Sequence, residues 1–246
     1  MKAKAESGMV ASTAATPSQA SDWLAAVTVA HTGANKEFLP TSTANGESWY
    51  HAVASDINSA TAKAGSYETL TLHDDGTGCY AIRSGEEGSY TYSSPYYLYN
   101  EIKFQASAGT AITGQDIYVK DLVASAGESP TSEDLDKALR VGFKWGTADF
   151  VIYNALNSTT TSINVNGSNT ATESRLASAT ANVNTSVIAS SQTLAAYTDA
   201  GTYATTLKVY CWFEGEDANC KSTNLTATLD QITITFSIGI KDHPTA

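Results

Sequence analysis

Glu214, Glu216 and Asp217 crowd the stretch CWFEGEDANC, between Cys211 and Cys220. Carboxylates set close together in a tight loop, with backbone carbonyls between them, are the hard oxygen ligands that Ca²⁺ prefers. These three are therefore the candidate cation ligands, and a solvated hairpin turn is the competing reading. Asp74-Asp75-Gly76 carries a weaker version of the same pattern. In an oxidising compartment a Cys211–Cys220 disulfide would close the loop. Pairing of Cys79 with either cysteine, and free thiols, stay open, because spacing alone does not fix connectivity. No CxxC pair suggests zinc.

Other chemistries find no footing. His31, His51, His73 and His243 stand far apart, with no HExxH helix, no GxSxG elbow and no phosphate-cradling glycine loop. Glu86/Glu87 and Asp74/Asp75 could be read as glycosidase carboxylates, but their Gly/Ser surroundings read as solvated turns. The expectation is a protein that is not an enzyme. Trp49, Tyr50, Tyr90, Tyr92, Tyr96, Tyr97 and Tyr99 could form a stacking platform for a glycan. Alternation along strands would instead place about half of them in a core. With 14 Lys+Arg against 25 Asp+Glu, the net charge is −11. The bases are scattered, which argues against nucleic acid as a partner and against docking on acidic lipids. No stretch approaches the roughly 20 apolar residues of a membrane span.

The elements that must position these groups read as β. Charged residues are 16% of the chain, below the roughly 25% of an average soluble domain, and Ser, Thr, Ala, Asn and Gly take their place. Thr and Tyr suit a half-buried pleated surface, and Ser, Asn and Gly suit its turns. Residues 1–20 read as a flexible arm. Residues 21–30, DWLAAVTVA from Asp22, read as a strand, because β-branched Val27, Thr28 and Val29 disfavour a helix. Pro40 and Asn45-Gly46 mark turns before a strand at Trp49–Val53. Tyr67–Leu72 and Cys79–Arg83 read as a hairpin. Further strands are expected at Tyr96–Ala106, Ile117–Val123, Val141–Trp145 and Phe150–Tyr153. Pro130–Arg140 carries helix signals, with a Thr131 or Ser132 cap, acids first and bases last. Residues 154–200 form a polar insertion with irregular strands near Ile163–Val165 and Val187–Ala189.

The C-terminal pattern is the strongest. Leu207, Val209, Cys211 and Phe213 alternate against Lys208, Tyr210 and Trp212. Ile232, Ile234, Phe236, Ile238 and Ile240 alternate against Thr233, Thr235, Ser237 and Gly239. A period of two over this length is a strand with one face in a core. The fold expected for 31–246 is one all-β antiparallel sandwich with one short helix and long loops.

The run LKVYCWFEGEDANC followed by LDQITITFSI resembles the end of exported Gram-positive proteins that are cognates of an alternate signal peptidase, related to the TasA and camelysin biofilm-fibre proteins. FLPTSTANGESWYHA, YLYNEIKFQA, IYVKDLV and LDKALRVGF stand in an order similar to that group. The resemblance implies a jelly-roll-like sandwich on a cell surface or outside the cell; Met1 to Ala20 lacks the apolar run of a signal peptide, so export would mean that the signal has been removed. It also implies self-association into a homopolymer, in which a subunit donates an N-terminal strand to its neighbour. Trp23, Leu24, Val27 and Val29 would then be the donor residues, and pairing of that segment within its own subunit is the alternative. A monomeric adhesin or glycan-binding module is the second expectation.

Overall fold

A computed structural model describes residues 2–6, 8–28, 41–52, 67–69, 71–74, 79–82, 96–126, 138–154, 162–165, 169–172, 174–175, 187–215 and 232–242. The chain begins with three short strands, β1 (Lys2–Ala5), β2 (Met9–Ser12) and β3 (Ala26–Thr28). A separate pair follows, β4 (Tyr50–Ala52) with β5 (Tyr67–Thr69). The expected hairpin forms between β6 (Thr71–Asp74) and β7 (Cys79–Ile82), whereas Tyr67–Thr69, read as the start of its first strand, pairs with β4 instead. The long strands β8 (Tyr97–Ala106), β9 (Ile112–Ala126) and β10 (Leu139–Trp145) come next, then β11 (Val151–Asn154). In the polar 154–200 region, β12 (Ser162–Val165) and β13 (Asn169–Thr172) form their own two-stranded sheet. There β14 (Ser174–Arg175) and β15 (Val187–Leu194) join the larger sheets. The alternating C-terminal stretches are β16 (Thr205–Phe213) and β17 (Ile232–Asp242).

Two sheets pack as a β-sandwich. One has the order β15-β9-β17-β1-β3; the other runs β14-β11-β10-β16-β8-β7-β6, with β2 also on β8. Long strands alternate between them: β8, β10 and β16 lie in one, β9, β15 and β17 in the other. The period of two is what makes this work, since each strand offers one apolar face inward. Ile102, Phe104, Val141, Phe143, Leu207 and Val209 are fully buried from the larger sheet. Ile117, Val119, Phe236 and Ile238 meet them from the smaller one. Phe143 and Phe236 pack edge to face, centroids 5.0 Å apart. The main pairings are antiparallel; β1 on β17 and β14 on β11 are parallel.

Two expectations are corrected. The helix does not reach Arg140: Leu139 and Arg140 open β10, paired with Phe213 and Trp212, while Pro130–Lys137 lie outside the described residues. Leu139 and Arg140 are 2% and 0% exposed. Cross-strand pairing and burial outweigh charge preferences at a helix end, which amount to about 0.3–1 kcal/mol each. A 3₁₀ turn is described at Ala20–Asp22, and Ala138, just before β10, is also 3₁₀. The first twelve residues are not a free arm, because β1 and β2 take up places in the two sheets.

Two buried tryptophans differ in a way that can be measured. Trp145 and Trp212 are 1% and 0% exposed. The Trp212 indole N–H donates to Glu214 Oε2 at 3.0 Å, whereas Trp145 Nε1 has no hydrogen-bond partner among the described residues. Replacement by Phe removes a similar volume from each. Only Trp212→Phe also strips a donor from a buried carboxylate, at a further cost of roughly 1–3 kcal/mol. Urea titration of the two variants should show the larger loss at Trp212; equal losses would refute the distinction.

Candidate functional site

The N-terminal residues form one folded-over unit that touches both sheets. The alternation KAKA puts Ala3 and Ala5 inward, 1% and 4% exposed, with Lys4 outward. Strand β1 runs parallel to β17, in the register Ala3↔Phe236, Lys4↔Ser237 and Ala5↔Ile238. On its other side β3 pairs antiparallel, Ala3 opposite Val27. The Glu6 amide still donates to the Ile238 carbonyl at 3.1 Å. The chain then crosses to the larger sheet through Gly8, whose φ of +95° suits glycine and strains other residues. Met9 and Ala11, 3% and 0% exposed, face the core from β2, which pairs with the end of β8 from Met9↔Ala106 to Ser12↔Lys103.

The return path is closed by local bonds. Amides of Ser18 and Gln19 donate to Asp22 Oδ2 at 2.8 and 3.2 Å. These bonds, the one from Ser18 foremost, hold the Asp22 carboxyl below its ordinary pKa. Ala11 and Leu24 exchange two backbone bonds of 2.8 Å. Trp23, 6% exposed, lies against Gly201, and its indole N–H donates to the Asp199 carbonyl at 2.9 Å. Of the four expected donor residues, Trp23 and Val27 are buried, Leu24 is 50% exposed and Val29 lies outside the described residues. Residues 1–20 and 21–30 were expected to be separate parts. In the structure Lys2–Thr28 pairs with itself and with its own sandwich.

Glu214 does not sit on a solvated turn. It is 0% exposed. Its Oε1 accepts from the Ser42 hydroxyl and its Oε2 from the Trp212 indole, while its amide donates to the Ala138 carbonyl at 2.8 Å. Strand alternation continues past Phe213 and turns Glu214 to the same face as Trp212. Glu216 and Asp217 lie outside the described residues, and no group of three metal-ligating side chains occurs among the described ones. Cys211 is likewise corrected: it is a free thiol, fully buried, and not bridged to Cys220. The same alternation sends it into the core beside Val209 and Phe213. Burial pushes its pKa up to about 12, so almost no thiolate is present near neutrality. Treatment with iodoacetamide at pH 8 should leave Cys211 unmodified in the folded protein and label it fully in denaturant, as read by peptide mass mapping.

The tyrosine and tryptophan density builds a second small core on the outer face of the larger sheet. Trp49 stacks on Tyr97 at 3.8 Å and meets Trp212 edge-on at 5.4 Å. Phe150 lies over Gly142, where a Cβ would come within 2.2 Å of its ring. Residues 41–50 cover this face. Thr41 N donates to the Phe213 carbonyl at 3.0 Å and Gly215 N to the Thr41 carbonyl at 2.9 Å. The expected Asn45-Gly46 turn is present, with Asn45 Oδ1 accepting from the Glu47 and Ser48 amides. Trp49, Tyr96 and Tyr97 are 1%, 5% and 3% exposed. They are therefore not an open stacking platform, while Tyr90 and Tyr92 lie outside the described residues.

Two positioning residues carried no sequence signal. Gln105, fully buried, grips Thr198 at two points, donating to its carbonyl at 2.9 Å and accepting from its amide at 3.2 Å. Ser42, in a run of small polar residues, holds Glu214. Among the described residues no helix is long and apolar enough to cross a membrane. No family model, curated protein or solved structure matches the chain.

Proposed function

We propose that this chain is a non-catalytic structural subunit of an extracellular filament or surface layer, assembled by exchange of its N-terminal strand unit between neighbours. The observation that carries the reading is the place of β1, a four-residue strand paired in parallel with β17 and flanked on its other side by the short edge strand β3. A strand so placed, once withdrawn, leaves a row of unpaired backbone groups on β17 that an identical strand from a second subunit fills. The acidic, Thr/Ser/Asn-rich composition and the C-terminal resemblance to fibre-forming exported proteins support the same reading.

The test is negative-stain microscopy of the purified chain with cysteines placed at Lys4 and Ser237, Cα partners on the outer side of β1 and β17. Neighbouring strands lie about 4.8 Å apart, within disulfide reach. Filaments are expected for the wild type and for the reduced double variant, and none for the oxidised, locked one. Failure of the wild type to form filaments, purified or on its native cells, would sink the proposal.

A further inference from the structure

The N-terminal unit is built almost entirely from small side chains. What it places in the core is Ala3, Ala5, Met9, Ala11 and Val27. Its one buried aromatic side chain, Trp23, stays out of that core and is covered by the connection between β15 and β16. The receiving loop is prepared for it. Gly201 sits at φ +55°, and a Cβ there would come within 2.2 Å of Trp23 Cζ2, so the missing side chain is the notch that admits the indole. The Asp199 carbonyl is aimed at the indole N–H. The loop is pinned independently of Trp23: Gln105 grips Thr198 from β8, Tyr197 N donates to the Ala108 carbonyl, and Ala204 N donates to the Gly201 carbonyl. On the other side Trp23 is set between the Asp22-centred turn and the Ala11–Leu24 bridge. It therefore moves with the N-terminal unit, while its socket belongs to the body of the sandwich.

We propose that Trp23 in the Gly201 notch is the latch that holds the N-terminal unit in its own sandwich and sets how readily that unit opens. The inference rests on the exchange reading above. A strand unit held by small side chains and short ladders opens as a local event without global unfolding, and the aromatic side chain it seats in the body is placed to control that event. Trp23→Phe keeps part of the packing and loses the bond to Asp199. Trp23→Ala loses both. Gly201→Ala attacks the contact from the socket side.

Hydrogen exchange read by mass spectrometry on the full chain tests the latch. For Trp23→Ala, amides of β1, β3 and the facing part of β17 should exchange on the order of tenfold faster or more, while those of β10 and β16 keep their wild-type rates. Trp23→Phe should fall between, which keeps the test open if the alanine variant folds poorly. Uniform acceleration in every strand, or none anywhere, would overturn the latch. The two readings fail separately. Selective opening without filaments in any sample leaves the latch standing and removes the filament role. Filaments whose assembly rate and exchange pattern ignore Trp23→Ala and Trp23→Phe remove the latch alone.

Discussion

A chain lacking residues 1–12 is expected to melt well below the intact chain, still cooperatively, and to leave the soluble fraction on concentration. The truncation removes β1 from between β17 and β3, and β2 from the end of β8. Burial of a side chain such as Met9 contributes about 1.5–3 kcal/mol, and each buried methyl of Ala3, Ala5 and Ala11 about 0.8 kcal/mol. The lost ladder bonds add about 1 kcal/mol each. The backbone entropy regained when these residues are no longer ordered, about 1–2 kcal/mol per residue, offsets much of this, so the net loss is a fraction of the domain's stability. The exposed β17 edge is then a template for association with other chains. A synthetic peptide of residues 1–12, added during refolding, should restore both solubility and the melting temperature. A truncated chain that stays monomeric and melts as high as the intact chain without peptide would show that residues 1–12 are dispensable.

Phe236→Asp is expected to abolish folding outright. Phe236 is 0% exposed and packs edge to face on Phe143 of the opposite sheet. An aspartate there loses the ring's burial and places a carboxylate in the apolar centre of the sandwich, where it must be neutralised at a cost of several kcal/mol. Phe236→Leu, which keeps an apolar side chain, should fold with a lowered melting temperature. Circular dichroism and analytical ultracentrifugation distinguish the two; a soluble, cooperatively melting aspartate variant would contradict the assignment of β17 to the core.

The strands that carry large apolar residues were legible before any coordinates. Ile102 and Phe104, then Leu207, Val209, Cys211 and Phe213, then Ile234, Phe236 and Ile238 fall on the buried faces that their period of two predicts. What escaped was set by partners distant in sequence. Tyr210 and Trp212 alternate as wet-face residues yet are buried, because residues 41–50 add a layer outside the sheet. KAKA alternates as strictly as β17, but alanine contributes so little apolar area that the segment read as an arm. The helix signals up to Arg140 are local, and pairing with β16 overrides them. Cys211 shows two readings of one stretch in conflict: its alternation pointed into the core, its spacing from Cys220 suggested a bridge, and burial decided the matter.

The parallel pairing of β1 with β17 also determines how the sandwich meets a pull. Tension applied between Lys2 and Asp242 draws the two strands past each other along their length, since Lys2 lies opposite Thr235 and the strands share a direction. The bonds across the pair are then loaded together in shear, and no single bond can open first as in a zipper. Resistance of that kind is a matter of the barrier to rupture, not of equilibrium stability. A subunit joined through such a pair would stiffen an assembly stretched along its strands and yield more readily to a force that peels β3 and β1 away sideways.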